Sequence, residues 1–229
     1  MKTVGRLIER LKAGEGAPER HHNPYLSEAV SLAGVLYSSD ELLAAFPRLF
    51  ADDTKPLLLE IGCYYGKNVL EFAAKNPGIN VLGIDITYKR VVKSARRIHE
   101  GKLGNARIGI CDARALMQVV PDASLAGICV FFPDPWPKTK HIKNRLLTAE
   151  FLAQMRAKLA PGGYFWFKTD SGRYFEEVMD VVDPAVWSVS DPDEVPAELF
   201  EGAYVTVFEQ LFLAKELPIH RRVFRPRSS

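Results

Sequence analysis

Residues 57–85 read LLLEIGCYYGKNVLEFAAKNPGINVLGID, and this stretch predicts a strand, a helix and a second strand. The run Leu57–Ile61 is short and apolar and ends at Gly62, residues 68–75 have helical spacing, and residues 81–85 are apolar again. Two parallel strands need a connecting helix that covers one face of their sheet. The stretch therefore indicates a parallel β-α-β unit.

The same alternation continues along the rest of the chain. The later expected elements are helices near 88–100, 113–119, 148–159, 173–182 and 207–214, strands near 106–110, 125–132 and 164–168, a turn at 161–163, a loop at 191–196, and a closing apolar segment at 219–224. Repeated strand and helix alternation predicts an α/β fold with a doubly wound, mostly parallel sheet. Residues 1–56 are expected to form a helical and irregular N-terminal arm, and residues 57–229 the main domain.

Charge and composition limit the possible partners and the compartment. The 229 residues contain 30 Lys and Arg against 28 Asp and Glu, so any nucleic-acid site must come from a local cluster of positive charge. Three cysteines without a C-x-x-C pair and five histidines without metal-like spacing favour a reduced, cytoplasmic protein with no metal site. We also expect no signal peptide and no membrane span, because the chain has no long apolar run.

Three acidic residues lie at the ends of successive predicted strands, namely Glu60, Asp85 and Asp112. Gly62 and Gly66 open the helix after the first of these strands, where glycine lets the backbone turn tightly and approach a ligand. An acid such as Asp85 can bind the two ribose hydroxyls of a nucleoside, and Asp112 would reach an adenine edge. Glu60 lies just before the glycine turn, where an acid suits a sulfonium or amino group of a ligand better than a pyrophosphate. The pattern therefore favours S-adenosylmethionine over a nicotinamide dinucleotide.

Simpler interpretations of these residues stay open. Tyr64 stands where a dinucleotide fingerprint would place a glycine, so the loop could be an ordinary turn between a strand and a helix. Asp85 and Asp112 could each serve only as the N-cap of a helix.

The segment Phe131-Phe132-Pro133-Asp134-Pro135-Trp136-Pro137-Lys138 follows the fourth strand of the main domain. Proline restricts its own backbone and the residue before it, so Asp134 is expected to be fixed in place. Four positive charges follow and predict a strip that binds phosphate: Lys138, Lys140, Lys143 and Arg145. The alternative is a proline turn followed by an exposed basic helix.

These segments resemble the bacterial tRNA (guanine-N7)-methyltransferases. The resemblance spans residues 57–224 and is carried by Glu60-Ile61-Gly62, Asp85, Asp112, the 132–138 run, Thr169-Asp170 and Thr206-Val207-Phe208-Glu209. It implies a Rossmann-like class I methyltransferase domain at 57–229 with seven strands, and a guanine of the tRNA variable loop as acceptor. It also implies that Asp134 and the three strand-end acids contact S-adenosylmethionine, and that substrate contacts come from Lys138, Asp170 and the segment 206–209.

Guanine N7 carries a lone pair and no proton, so methyl transfer needs no base, and alignment is the main requirement. We assign Asp134 as the catalytic residue, which stabilises the cationic purine or binds the guanine N1–H and amino group. Asp170 is a second candidate for the guanine edge, and Trp136 either stacks on the base or anchors the turn. Positive charges near the carboxyl end would bind tRNA phosphates: Arg221, Arg222, Arg225 and Arg227.

Several alternatives remain after the resemblance. Thr206-x-x-Glu209 before an apolar run is also a capping box, and Thr169-Asp170 could be the N-cap of a helix. The chain could instead methylate another substrate, or bind RNA and S-adenosylmethionine without activity. The sequence leaves both a monomer and a homodimer open.

Overall fold

The structure is a computed structural model that describes residues 24–190 and 205–227. The chain divides into two compact units, with the boundary between Val120 and Pro121. The loop expected at 191–196 and the first 23 residues of the expected arm lie outside the described residues. Within the described part of the chain, no helix is long and apolar enough to cross a membrane.

The first unit is a parallel sheet with helices between its strands. Its elements are α1 (Pro24–Ser31), β1 (Leu36–Tyr37), α2 (Ser39–Ala45), β2 (Leu57–Ile61), α3 (Lys67–Lys75), β3 (Asn80–Asp85), α4 (Tyr88–Glu100), β4 (Ala106–Ile110) and α5 (Ala113–Met117). The strand order is β1-β4-β3-β2, and every pair is parallel. Ile61 lies opposite Ile84, so β2 and β3 end at the same edge. This register brings the ends that carry Glu60 and Asp85 together.

Helices cover both faces of the first unit's sheet. A Cβ atom added to Gly83 would lie 2.6 Å from a Val69 methyl carbon on α3, and one added to Gly109 would lie 2.5 Å from a Leu42 methyl carbon on α2. Gly83 pairs with Ile108, the residue before Gly109, so the two glycines face opposite sides of the pleated sheet. Helices α2 and α3 therefore pack on opposite faces, which is the doubly wound arrangement predicted from the sequence.

Part of the expected arm belongs to the first unit. Strand β1 pairs in parallel with β4, and Leu36 on β1 and Leu42 on α2 are buried. Two residues are too few for a periodic pattern, so the sequence did not predict this strand. The proposed division at residue 57 remains a prediction.

The second unit carries the antiparallel part of the fold. Its elements are β5 (Leu125–Phe131), a 3-10 helix (Thr139–Asn144), α6 (Ala149–Lys158), β6 (Leu159–Thr169), α7 (Gly172–Val181), β7 (Trp187–Ser190), α8 (Val207–Leu213) and β8 (His220–Pro226). The strand order is β5-β6-β8-β7, in which β5 and β6 are parallel and β8 is antiparallel to both of its neighbours. The described residues thus contain eight strands rather than seven, and the predicted α/β class is confirmed.

The turn expected at residues 161–163 is wrong, because these residues lie inside β6. Leu125 lies opposite Leu159 and Gly127 opposite Tyr164, so β6 has extra residues between these two pairings. Gly162 has a φ of 79°, a conformation that glycine adopts without strain and that accommodates such an irregularity. The turn-like composition therefore marks a bulged part of a long strand.

Candidate active site

The loop between β2 and α3 is a tight turn with three residues in the left-handed region. The φ angles are 79° at Gly62, 53° at Tyr64 and 65° at Gly66. The Gly62 N–H donates to the Ile84 carbonyl oxygen at 2.8 Å, which connects the loop to the end of β3. A Cβ on Gly66 would lie 2.6 Å from the Ser94 Cβ, so only glycine lets α3 begin this close to α4. The loop has the close backbone geometry expected of a cofactor loop.

Tyr64 adopts the backbone conformation that a glycine would adopt at this position. A left-handed conformation costs a non-glycine residue roughly 1–2 kcal/mol. Three contacts offset this cost: the Arg90 guanidinium lies 4.7 Å from the Tyr64 ring centre, the Ser94 hydroxyl donates to the Tyr64 carbonyl at 3.2 Å, and the Tyr64 N–H donates to Asp85 Oδ2 at 3.2 Å. The tyrosine therefore preserves the shape of the loop.

Asp85 has a fixed and largely buried carboxylate at the end of β3. Its side chain is 5% exposed, Oδ1 accepts a hydrogen bond from the Thr87 N–H at 2.7 Å, and Oδ2 lies 3.8 Å from an Arg90 guanidinium nitrogen. Thr87 is the N-cap residue of α4, so the N-cap interpretation of Asp85 is wrong. Two backbone donors orient the carboxylate, and its remaining lone pairs can accept ribose hydroxyls.

Glu60 is also buried, at the end of β2. The Asn68 side-chain amide donates to Glu60 Oε1 at 3.1 Å, and this orients the carboxylate towards the first turn of α3. Burial, together with the charges of Glu60 and Asp85, raises the pKa of the Cys63 thiol well above its usual range. Cys63 is therefore a neutral, buried thiol beside a negatively charged group.

Asp112 is the N-cap residue of α5, which confirms the simpler interpretation of this residue. Its Oδ1 accepts a hydrogen bond from the Arg114 N–H at 2.8 Å. The side chain is only half-buried, so capping leaves part of the carboxylate accessible. A contact with an adenine edge remains a prediction.

In the second unit, Asp134 lies in the middle of a turn with a constrained backbone. Phe132 and Trp136 on either side have φ angles of 52° and 43°, and Asp134 itself lies between two prolines. The Asp134 side chain is exposed. The Trp136 ring centre lies 5.6 Å from that of His141 in the 3-10 helix, a contact consistent with an anchor for the turn. The turn thus presents a carboxylate to solvent on a fixed backbone.

The predicted basic strip separates into two kinds of residue. Lys138, Lys140 and Lys143 are exposed, whereas Arg145 is only 7% exposed. The Arg145 Nε donates to the Pro135 carbonyl at 2.8 Å, and its guanidinium pairs with Glu177. Arg145 therefore stabilises the Asp134 turn from inside the protein. The sequence could not indicate this role, because Glu177 lies far along the chain.

Asp170 follows the last residue of β6 and is exposed. Ser171 is the N-cap residue of α7, and its hydroxyl accepts from the Tyr174 N–H at 3.3 Å. Thr169 is buried, and its hydroxyl accepts from the Ser171 N–H at 3.2 Å. The N-cap interpretation of Thr169-Asp170 is therefore wrong, and the Asp170 carboxylate is accessible to a ligand.

Thr206 and Glu209 form a buried capping box at the start of α8. The Glu209 N–H donates to the Thr206 hydroxyl at 3.0 Å, and the Thr206 N–H donates to Glu209 Oε2 at 3.2 Å. Lys168 Nζ also donates to Glu209 Oε2, at 2.7 Å, and Arg221 lies 3.7 Å from Oε1. Because these partners occupy a side chain that is 2% exposed, the geometry favours the capping box. A substrate contact from either side chain remains a prediction.

Sequence comparison relates this chain to known methyltransferases. Residues 54–221 match the model of a family described as "Putative methyltransferase". The tRNA (guanine-N(7)-)-methyltransferase of Geobacter metallireducens is 37% identical over 71% of this chain and 78% of its own length. The enzyme of the same name from Dechloromonas aromatica is 33% identical over 84% of this chain and 82% of its own length. The chain belongs to the tRNA (guanine-N7)-methyltransferase family. This confirms the predicted family and enzyme class, a methyltransferase that uses S-adenosylmethionine.

Solved structures support the fold of this methyltransferase. The crystal structure of the 16S rRNA methyltransferase KamB matches with a TM-score of 0.52 and 18% identity, over 83% of this chain and 92% of that chain. The aminoglycoside resistance methyltransferase NpmB1 matches with a TM-score of 0.50 and 17% identity, over 82% and 91% of the two chains. At this level of identity the likeness concerns the fold alone.

Sequence reasoning missed one buried residue of this methyltransferase, Lys168. Its side chain is 1% exposed and lies 4.4 Å from the Trp166 ring centre. Burial lowers the pKa of Lys168, and the hydrogen bond that Lys168 donates to Glu209 opposes that shift. The sequence signal that could have identified Lys168 is its position at the end of the apolar run Tyr164–Phe167. A charge buried there requires a partner of opposite charge.

Proposed function

We propose that this methyltransferase transfers a methyl group from S-adenosylmethionine to N7 of a guanine in the tRNA variable loop, in the cytoplasm and as a monomer or homodimer. The observation that carries the proposal is an exposed carboxylate, Asp134, on a proline-restricted turn followed by three exposed lysines. A carboxylate on a restricted turn can contact the target base, and the lysines that follow it can bind the phosphates on either side of that base. The names of the relatives point to the same substrate.

Most of the residues that would bind the cofactor belong to the first unit. Asp85 has lone pairs for the ribose hydroxyls, and the buried Glu60 supplies negative charge for the amino group. The left-handed residues Gly62 and Gly66 let the loop backbone come close to the ligand. When bound, S-adenosylmethionine supplies an electrophilic methyl group on a sulfonium. Asp112 and Asp134 are the further cofactor residues that the family resemblance implies.

The second unit contains the residues proposed to recognise and orient guanine. Because N7 has a free lone pair, the protein's contribution is alignment of the base and stabilisation of the positive charge that the purine acquires. The Asp134 carboxylate can supply that stabilisation, or accept hydrogen bonds from the guanine N1–H and amino group. Adenine has no N1–H, so this second role would exclude it. Asp170 is the other exposed acid available for the guanine edge.

The three exposed lysines are expected to bind tRNA phosphates. Replacing Lys138, Lys140 and Lys143 with alanine should weaken tRNA binding and make its dependence on salt less steep, by roughly 0.7–0.9 in log–log slope for each phosphate that is no longer neutralised. Fluorescence anisotropy with labelled tRNA at about 50–200 mM salt measures both quantities. Lys75 is exposed on α3 of the first unit, and Lys75→Ala serves as the control. An unchanged slope in the triple variant would exclude the phosphate assignment.

The direct test is incubation of unmodified tRNA with labelled S-adenosylmethionine and this protein. Chemical cleavage selective for 7-methylguanosine then locates the label along the tRNA. We expect cleavage at a single variable-loop guanine, and no labelling of a transcript in which that guanine is replaced by adenine. Label at another atom or on another substrate would favour a different methyltransferase. Cofactor and tRNA binding without transfer would favour an inactive binding protein.

A further inference from the structure

The first residues of β8 form a half-buried cluster beside Asp170. His220 lies opposite Thr169 in the antiparallel pairing, and Arg221 and Arg222 lie opposite the two residues before it. The His220 ring also lies against the start of α7, since a Cβ added to Gly172 would be 3.1 Å from His220 Nε2. The cluster therefore borders the turn that carries the proposed guanine-edge acid Asp170.

Phe175 on α7 orders two planar groups of this cluster. The rings of Phe175 and His220 stack with their centres 5.2 Å apart and an angle of 30° between their planes. The Arg222 guanidinium lies 5.3 Å from the centre of the same Phe175 ring. Phe167 lies nearly parallel to Phe175, at 6.2 Å and 10°, and supports it from β6. Since packing already orders the side chains, a ligand that binds them costs less conformational entropy.

The other two arginines near the carboxyl end, Arg225 on β8 and Arg227 just after it, have different surroundings. A guanidinium nitrogen of Arg225 donates to the Gly162 carbonyl at 3.3 Å, and Arg227 Nε donates to the Pro184 and Trp187 carbonyls at 2.9 and 3.1 Å. Gly162 lies near the beginning of β6, whereas Asp170 follows its end. The four arginines that the sequence grouped as one phosphate-binding set are therefore divided between opposite ends of β8.

We infer that His220 and Arg222, ordered by Phe175, form a site that stacks on an unpaired tRNA base next to the target guanine. This inference rests on the proposed function. Proteins bind unstacked RNA bases by stacking them on aromatic rings and on guanidinium planes, and both groups are present here. Asp170 is exposed and follows Thr169, the strand partner of His220, and this negative charge near the start of β8 favours a neutral base over a phosphate. Arg221 differs from its neighbours because it faces the buried Glu209.

Matched variants test stacking separately from charge. We expect His220→Ala and Arg222→Ala to weaken tRNA binding about five-fold or more, since removing one base–aromatic stacking interaction costs roughly 1–3 kcal/mol. His220→Phe keeps a ring and should bind within about two-fold of the unaltered protein. Arg222→Lys keeps the charge but not the guanidinium plane, so it should bind nearly as weakly as Arg222→Ala. Arg48 is an exposed arginine of the first unit with no assigned role, so Arg48→Ala is the control and should bind normally.

Anisotropy with labelled tRNA gives the affinities, S-adenosylmethionine titration checks the cofactor site, and thermal melting checks that each variant is folded. If His220→Ala does not fold, the tRNA affinities of His220→Phe and Arg222→Lys still test the inference. Normal tRNA binding by both alanine variants would overturn the inference. Normal tRNA binding by Arg222→Lys, or equal weakening by Arg48→Ala, would also overturn it, because charge alone would then explain binding. If the unaltered protein does not methylate tRNA, the proposed function fails instead.

Discussion

Asp134→Asn is expected to reduce methyl transfer to tRNA by at least about 100-fold while tRNA binding stays within about two-fold. Preorganised groups that stabilise developing charge typically contribute two to three orders of magnitude in rate. Asparagine has nearly the same shape as aspartate, and the prolines on both sides still restrict the turn. The variant therefore removes the negative charge and changes little else. Single-turnover transfer of labelled methyl at saturating cofactor measures the effect.

Saturating cofactor is necessary because Asp134 is also a predicted cofactor residue. A titration with S-adenosylhomocysteine in parallel separates a loss of cofactor affinity from a loss of rate. Asp180 on α7 is an exposed acid of the same unit, and Asp180→Asn should transfer methyl at the normal rate. A rate for Asp134→Asn within about three-fold of normal would remove Asp134 from the catalytic role. The carboxylate would then act only in positioning the turn or the base.

The fold was predictable wherever a strand formed one continuous apolar run. Strands β2 and β3 each contain such a run, so the two strands, their connecting helix and the acids Glu60 and Asp85 followed from the sequence. Strand β1 has only Leu36 and Tyr37, and its stability comes from pairing with β4, about 70 residues later. The bulged part of β6 was mistaken for a turn because Pro161-Gly162-Gly163 has the same composition in either setting.

The candidate site was predictable where its residues follow local sequence patterns. Glu60 and Asp85 were identified because the ends of parallel strands meet at one edge of a sheet. Arg145 was grouped with the neighbouring lysines because its partners, Pro135 and Glu177, become close only in the folded chain. The Thr206-x-x-Glu209 pattern fits a capping box and a substrate site equally well, and the ion pair with Lys168 that favours the capping box exists only in the folded protein. Local patterns thus located the residues, and long-range contacts determined their surroundings.

Glu209→Gln is expected to destabilise the second unit by about 3–5 kcal/mol, because it leaves the Lys168 charge buried without a carboxylate. Glutamine retains the oxygen that completes the capping box, so the loss reports on the ion pair and not on the cap. Thermal and denaturant unfolding measure the change. Glu71→Gln breaks the partly exposed pair between Lys67 and Glu71 and should cost less than about 1 kcal/mol.

The double variant Lys168→Met with Glu209→Gln should recover most of that stability, since it removes the unpaired charge and keeps the apolar volume. Unfolding at several pH values gives an independent check on the single variant. Burial lowers the pKa of Lys168, and without Glu209 that shift becomes larger. In alkaline solution the unfolded chain then binds more protons than the folded one, so the stability of Glu209→Gln rises with pH and its deficit shrinks. A destabilisation below about 1 kcal/mol, or a deficit unchanged between about pH 7 and alkaline pH, would mean that the Lys168–Glu209 pair does not stabilise α8.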